Sequence, residues 1–124
     1  MAELASVLVE RTGEIQLVRL AGEVDISNAS ALEGEISDAV PNDALGLVLD
    51  LSDTRYLDSA GIRMLFELKL RLGGRRQSLA AVVPCESLIR HALEITEVNQ
   101  AIEIHATVVE AVDSLRTAAQ SEDG

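Results

Sequence analysis

The chain has 124 residues, enough for one domain that buries about two-thirds of its unfolded surface. Hydrophobic residues make up 48% of it but aromatics only 2%, so the core must be aliphatic, built from Leu, Ile, Val and Ala. A net charge of −11 argues against nucleic acid and against anionic membrane surfaces as partners, because both demand basic patches.

Two short alternating runs, 6–9 and 15–20, flank Thr12-Gly13 and predict a β-hairpin. Ala21-Gly22-Glu23-Val24-Asp25 follows. Ser27 is then placed as the N-cap of a helix with Ala29, Leu32, Ile36 and Val40 on one face, stopped by Pro41. Gly46-Leu47-Val48-Leu49-Asp50-Leu51 is short, partly β-branched and bounded by turn residues, so it reads as a buried strand. Leu65, Leu68 and Leu72 recur at helical spacing up to Gly73-Gly74, which predicts a helix that opens near Ser59 and closes on a glycine C-cap. Arg71, Arg75 and Arg76 cluster at its end, where cations suit the helix dipole.

A further strand over 79–83 closes at Pro84, a short helix fits 87–93 and a short strand fits 101–104. Thr107-Val108-Val109-Glu110 is a capping box, opening a helix with Val108, Ala111, Val112, Leu115 and Ala119 inward. The order β-β-α-β-α-β-α-β-α predicts a single small α/β domain over 1–119. Its sheet should be mixed but mostly parallel, with about five strands and four helices, the one antiparallel pair coming from the first hairpin. Residues 120–124 are too polar to pack and are expected to form a disordered tail.

Cys85 is alone, which rules out an intramolecular disulfide or a cysteine metal site and fits a reducing cytoplasm. No secretory pattern follows Met1, and no apolar run approaches the ~20 residues that span a bilayer. His91, beside Arg90, and His105, just before Thr107, read as surface or turn residues and not as ligands or bases. Glycine-rich phosphate loops are absent, and Leu57-Asp58-Ser59-Ala60-Gly61 lacks the leading glycine of a nucleophile elbow. The chain is therefore expected to be no enzyme and to hold no metal or cofactor. Asp50 could be the phosphoacceptor of a two-component receiver. Against that, no acidic pair follows the first strand, the opening strands are in the wrong order, and the only lysine, Lys69, lies inside the second helix.

Ser59 holds the remaining chemistry. At a helix N-terminus, free N–H groups and the dipole accommodate a phosphoryl group. Two readings stand on local chemistry: Ser59 or Asp58 caps the helix, or Ser59 is a phosphoacceptor that adds a charge of about −2 beside Asp58. Asp25 and Asp58 both follow strand-like runs and are expected at one edge of the sheet, where partners dock on parallel α/β folds. The helix has a narrow polar side of Arg63, Glu67 and Arg71. Ile62, Phe66 and Leu70 on its flank either pack against a neighbouring helix or form a protein-binding patch beside Ser59.

Leu20-Ala21-Gly22-Glu23-Val24-Asp25, Leu49-Asp50-Leu51 and Leu57-Asp58-Ser59-Ala60-Gly61, in that order and followed by Ala80-Ala81-Val82-Val83-Pro84, resemble the STAS domain of sulfate transporters and anti-sigma factor antagonists. The resemblance covers nearly the whole chain. It implies a partner-switching antagonist that binds an anti-sigma factor serine kinase when unphosphorylated, is phosphorylated by it on Ser59, and is restored by a serine phosphatase. Asp25, Asp58, Ala60, Gly61, Ile62 and Phe66 would form the partner-binding surface. A constitutive scaffold or transport-complex subunit, in which Ser59 only caps its helix, is the alternative. One departure is that the family often has a glycine where this chain has Ile95-Thr96-Glu97, so that turn is expected to be built differently.

Overall fold

The computed structural model describes residues 4–122. Among these residues six strands and five helices alternate as β1 (Ala5–Thr12), β2 (Ile15–Val24), α1 (Ala29–Asp38), β3 (Gly46–Asp50), β4 (Thr54–Leu57), α2 (Ser59–Gly74), β5 (Ser78–Val82), α3 (Arg90–Ile95), α4 (Val98–Ala101), β6 (Glu103–His105) and α5 (Val108–Glu122). One sheet runs in the order β1-β2-β3-β5-β6, with β4 beside β2. Only β1 and β2 pair antiparallel, across the hairpin; the other pairings are parallel.

The sheet lies between two apolar layers, which is why every residue of β3 is buried. On one face Val18, Leu20, Leu47 and Leu49 meet Leu32 and Ile36 of α1, Leu65 and Leu68 of α2, and Leu93 and Val98 from α3 and α4. On the other face Ile15, Leu17, Val48 and Val82 pack under Ala111, Val112 and Leu115 of α5. Half of the capping box is present: Thr107 Oγ1 accepts from the Glu110 N–H, while the Glu110 carboxylate accepts from the Thr107 hydroxyl. α5 runs through the first three residues of the expected tail, and 123–124 lie outside the described residues.

Four local expectations are corrected. β4 was not foreseen; it is short, with Thr54 and Leu57 buried and Arg55 and Tyr56 exposed, and it is anchored by Thr54 Oγ1 donating to Leu20 O at 2.6 Å. α1 begins after Asn28, and Ser27 spends its hydroxyl on Asp25 instead of capping. Gly73 and Gly74 remain inside α2, and it is Arg76 that takes the left-handed conformation, φ +59°. There Gln77 N–H reaches Leu72 O and Arg76 N–H reaches Gly73 O, the two bonds of a Schellman closure. The helix expected over 87–93 is instead α3 with a separate α4, divided at Glu97, whose φ of +60° is the conformation a glycine would adopt. The turn thus keeps a glycine-like backbone without the glycine.

Gly22 has φ +105°, and a Cβ there would stand 2.2 Å from Leu4 O. Only glycine lets β1 and β2 close up at this point, beside the β4 junction, and so lets β2 continue to Val24.

Candidate functional site

The C-terminal ends of β2 and β4 lie side by side, paired through Val24↔Leu57. The loops that leave them bring Asp25 and Asp58 together, as the sequence suggests. The Asp58 N–H donates to Val24 O at 3.2 Å. Its carboxylate then faces two ways. Oδ1 accepts from Ala60 N at 2.8 Å and Gly61 N at 3.1 Å, capping α2, while Oδ2 accepts from the Ile26 N–H of the neighbouring loop at 3.2 Å.

Asp58, and not Ser59, is therefore the N-cap. Ser59 is the first residue of α2 and is exposed, with Arg63 exposed one turn on. A serine relieved of capping, at a helix end with free N–H groups, presents its hydroxyl where an anionic group would be favoured.

The Asp25 loop is tied internally. Asp25 Oδ1 accepts from the Ser27 hydroxyl and from Ser27 N at 2.8 Å. Asn28 Oδ1 accepts from Asp25 N, and Asn28 Nδ2 donates to Glu23 O, both at 2.9 Å. The Ser27 hydroxyl and N–H hold the Asp25 carboxyl below its ordinary 3.8, against a weak opposing effect of desolvation. Both side chains are thus fixed by backbone N–H groups, Asp58 at the start of α2 and Asp25 in the loop before α1.

This pinned loop displays Ile26, 85% exposed. With Ala29, Ser30, Ala60, Arg63 and Met64 it lines a groove of about 290 Å³ between α1 and α2. Sequence reasoning missed Ile26; its signal was an isolated apolar residue within Asp25-Ile26-Ser27-Asn28. Ile62 and Phe66 are half-buried against the main core, so their flank packs largely inward, and Leu70 is exposed. Gly61 is buried, and a Cβ there would meet Leu57 Cδ2 at 2.9 Å and Val24 Cγ1 at 3.3 Å. It lets the start of α2 sit down on β2 and β4.

The other candidates lie apart from this site. Asp50 is buried at the end of β3, where its Oδ1 accepts from Ser52 N and Ser52 Oγ, and Arg19 stands 3.6 Å from Oδ2. That is a turn-closing role. Lys69 donates to Ala101 O, tying α2 to α4. His91 is exposed, whereas His105 Nε2 lies 2.7 Å from Glu103 Oε1, a carboxylate partner the sequence reading did not assign. The Ser114 hydroxyl donates to that same oxygen, so serine and histidine both face the acid and not each other. Burial works to raise the Glu103 pKa, but the Ser114 and His105 contacts outweigh it and leave the carboxyl below 4.5. Cys85 is exposed. Among the described residues no group of three or more His, Cys, Asp and Glu could hold a metal, and no helix is long and apolar enough to cross a membrane.

Comparison with known proteins gives this geometry a family. The family model described as "Mlab, STAS domain" matches residues 7–110. RsfB of Mycobacterium tuberculosis, an anti-sigma-F factor antagonist, is 27% identical over 103 residues, 82% of each chain. An anti-sigma factor antagonist of Mycobacterium paratuberculosis has a solved structure that superposes with a TM-score of 0.80 at 27% identity, covering 90% of this chain and 94% of that one. The Bacillus cell fate determinant SpoIIAA, in its unphosphorylated form, shares the fold, with a TM-score of 0.70 at 21% identity over 90% of this chain and 97% of that one. The chain belongs to the STAS domain family.

Proposed function

We propose that this protein is an anti-sigma factor antagonist, switched by phosphorylation of Ser59. The observation that carries the reading is the division of labour at the start of α2: Asp58 makes the capping bonds and leaves Ser59 exposed as the first helical residue. Names borne by relatives at 27% identity support the antagonist role.

In the unphosphorylated state the protein docks an anti-sigma factor, itself a serine kinase, on the edge formed by Asp25, Asp58 and Ala60. Ile26 is the apolar contact at its centre and Ile62 lies at its margin. Gly61 and Phe66 act from beneath, since one is buried and the other is packed on the core. Phosphorylation adds a charge of about −2. The helix N-terminus and Arg63 accommodate it, so the fold is kept, while a partner pressed against an already acidic edge is repelled. A serine phosphatase resets the switch. The protein is a kinase substrate and not an enzyme, and it acts in the cytoplasm without a cofactor.

The test is incubation with ATP and the anti-sigma kinases of the same organism, with the phosphate mapped by mass spectrometry. Phosphate on Ser59, lost in Ser59→Ala, is the expected result. An unmodified mass with every kinase would favour a constitutive scaffold or transport-complex subunit instead.

A further inference from the structure

Among the described residues β1 has no strand on its outer side. It pairs with β2 in unbroken register from Ala5↔Gly22 to Thr12↔Ile15. It carries no proline, lysine or bulge of the kind that blunts sheet edges. α5 packs on β2, β3, β5 and β6, and Leu8, on the same face of the sheet as α5, is left 55% exposed.

The ladder fixes which backbone groups point outward. Glu23 N–H donates to Leu4 O at 2.9 Å, and the Gly13-Glu14 turn closes on the pair Thr12↔Ile15. Bonded pairs alternate along an antiparallel ladder. Leu4, Ser6, Leu8, Glu10 and Thr12 are therefore bonded to β2, and the N–H and C=O groups of Ala5, Val7, Val9 and Arg11 face away from it.

We propose that β1 pairs antiparallel with β1 of a second copy of this chain, about a two-fold axis at Leu8. In that register Val7 bonds Val9 of the mate and Ala5 bonds Arg11, while Leu8 sits directly on Leu8 and Ser6 on Glu10. Like charges never face each other. Sliding one bonded pair toward the turn sets Leu8 against Glu10, and one pair further sets Glu10 on Glu10, both unfavourable cross-strand pairs. Sliding the other way shortens the overlap. Glu10 and Arg11 also make this strand neutral in a chain of net charge −11, so two copies can meet here without the repulsion that other faces would impose. Leu8 on Leu8, Ser6 on Glu10 and no like charges opposed favour a second copy as the occupant, although a foreign peptide would use the same strand-addition chemistry.

Sedimentation equilibrium at sub-millimolar concentration tests the pairing. The wild type should show a monomer–dimer equilibrium, and Leu8→Lys, which places like charges on the axis, should weaken it at least ~10-fold. Circular dichroism should show Leu8→Lys folded, because position 8 is exposed. The register is tested in a Cys85→Ser background with glutathione disulfide, which oxidises two thiols to one disulfide. Leu8→Cys should give a cross-linked dimer because position 8 faces itself in a close, non-bonded pair, and Ser6→Cys should stay monomeric. A wild type that remains monomeric, a dimer indifferent to Leu8→Lys, or equal cross-linking at positions 6 and 8 would overturn the proposal.

Discussion

Asp58 joins two loops with one carboxylate, capping α2 through Oδ1 and holding the Ile26 N–H through Oδ2. Its replacement should therefore cost more than an ordinary cap. Asp58→Ala is expected to lower stability by about 1–2 kcal/mol in chemical denaturation, and Asp58→Asn, which keeps an acceptor, by less. Asp25 shows its role through pH. Its folded pKa lies below the ordinary 3.8 because Ser27 donates to the carboxylate, so the contribution is complete above that value and is lost as pH falls through the lower folded pKa. Ser27→Ala should return the Asp25 pKa toward 3.8 in a carboxyl NMR titration; an unmoved titration would show that the hydroxyl has no such effect. At this scale the sequence was legible where the chemistry is local. An Asp-Ser pair before a helical run predicts a cap, without saying which of the two residues makes it, and makes Ser59 a candidate phosphosite. The exposure of Ile26 depends on two loops meeting, and no window of sequence contains both.

Among the elements, α2 shows how packing positions chemistry. Gly61 rests against Leu57 and Val24, with a Cβ distance of 2.9 Å that an alanine could not keep. Gly61→Ala should destabilise by about 1–3 kcal/mol through overpacking, read as a lower midpoint in thermal or denaturant unfolding. Arg76 and Glu97 are the opposite case, since both hold φ near +60° without being glycine. Such a conformation costs an ordinary residue of order 1 kcal/mol, so Glu97→Gly should be stabilising by several tenths of a kcal/mol or more in the same assay, despite glycine's larger unfolded-state entropy. The long periodic helices and the apolar β3 were readable from spacing because burial repeats along them. β4 was not, because Thr54–Leu57 is only four residues long, with two exposed residues between its buried ends and so no alternation, and it exists by pairing with β2. Likewise Gly73-Gly74 pointed to a helix end two residues before the Schellman closure at Arg76.

For the molecule as a whole, a parallel sheet between two apolar layers sends the loops after β2 and β4 to one edge. That edge gathers Asp25, Ile26, Asp58 and Ser59 from separate parts of the chain. The α/β class and its mostly parallel sheet followed from the alternation of elements, whereas the edge needed the register Val24↔Leu57, which no spacing encodes. If that edge is the docking surface, as proposed, an exposed serine on it is suited to a switch that changes binding and spares the fold. The most direct measurement is a binding titration of the anti-sigma factor kinase with wild-type protein, Ser59→Ala and Ser59→Asp, each first shown to be equally folded. Wild-type affinity for Ser59→Ala with at least ~10-fold weaker binding of Ser59→Asp, about 1.4 kcal/mol, is the predicted result. Equal affinity of all three would contradict the switch at Ser59.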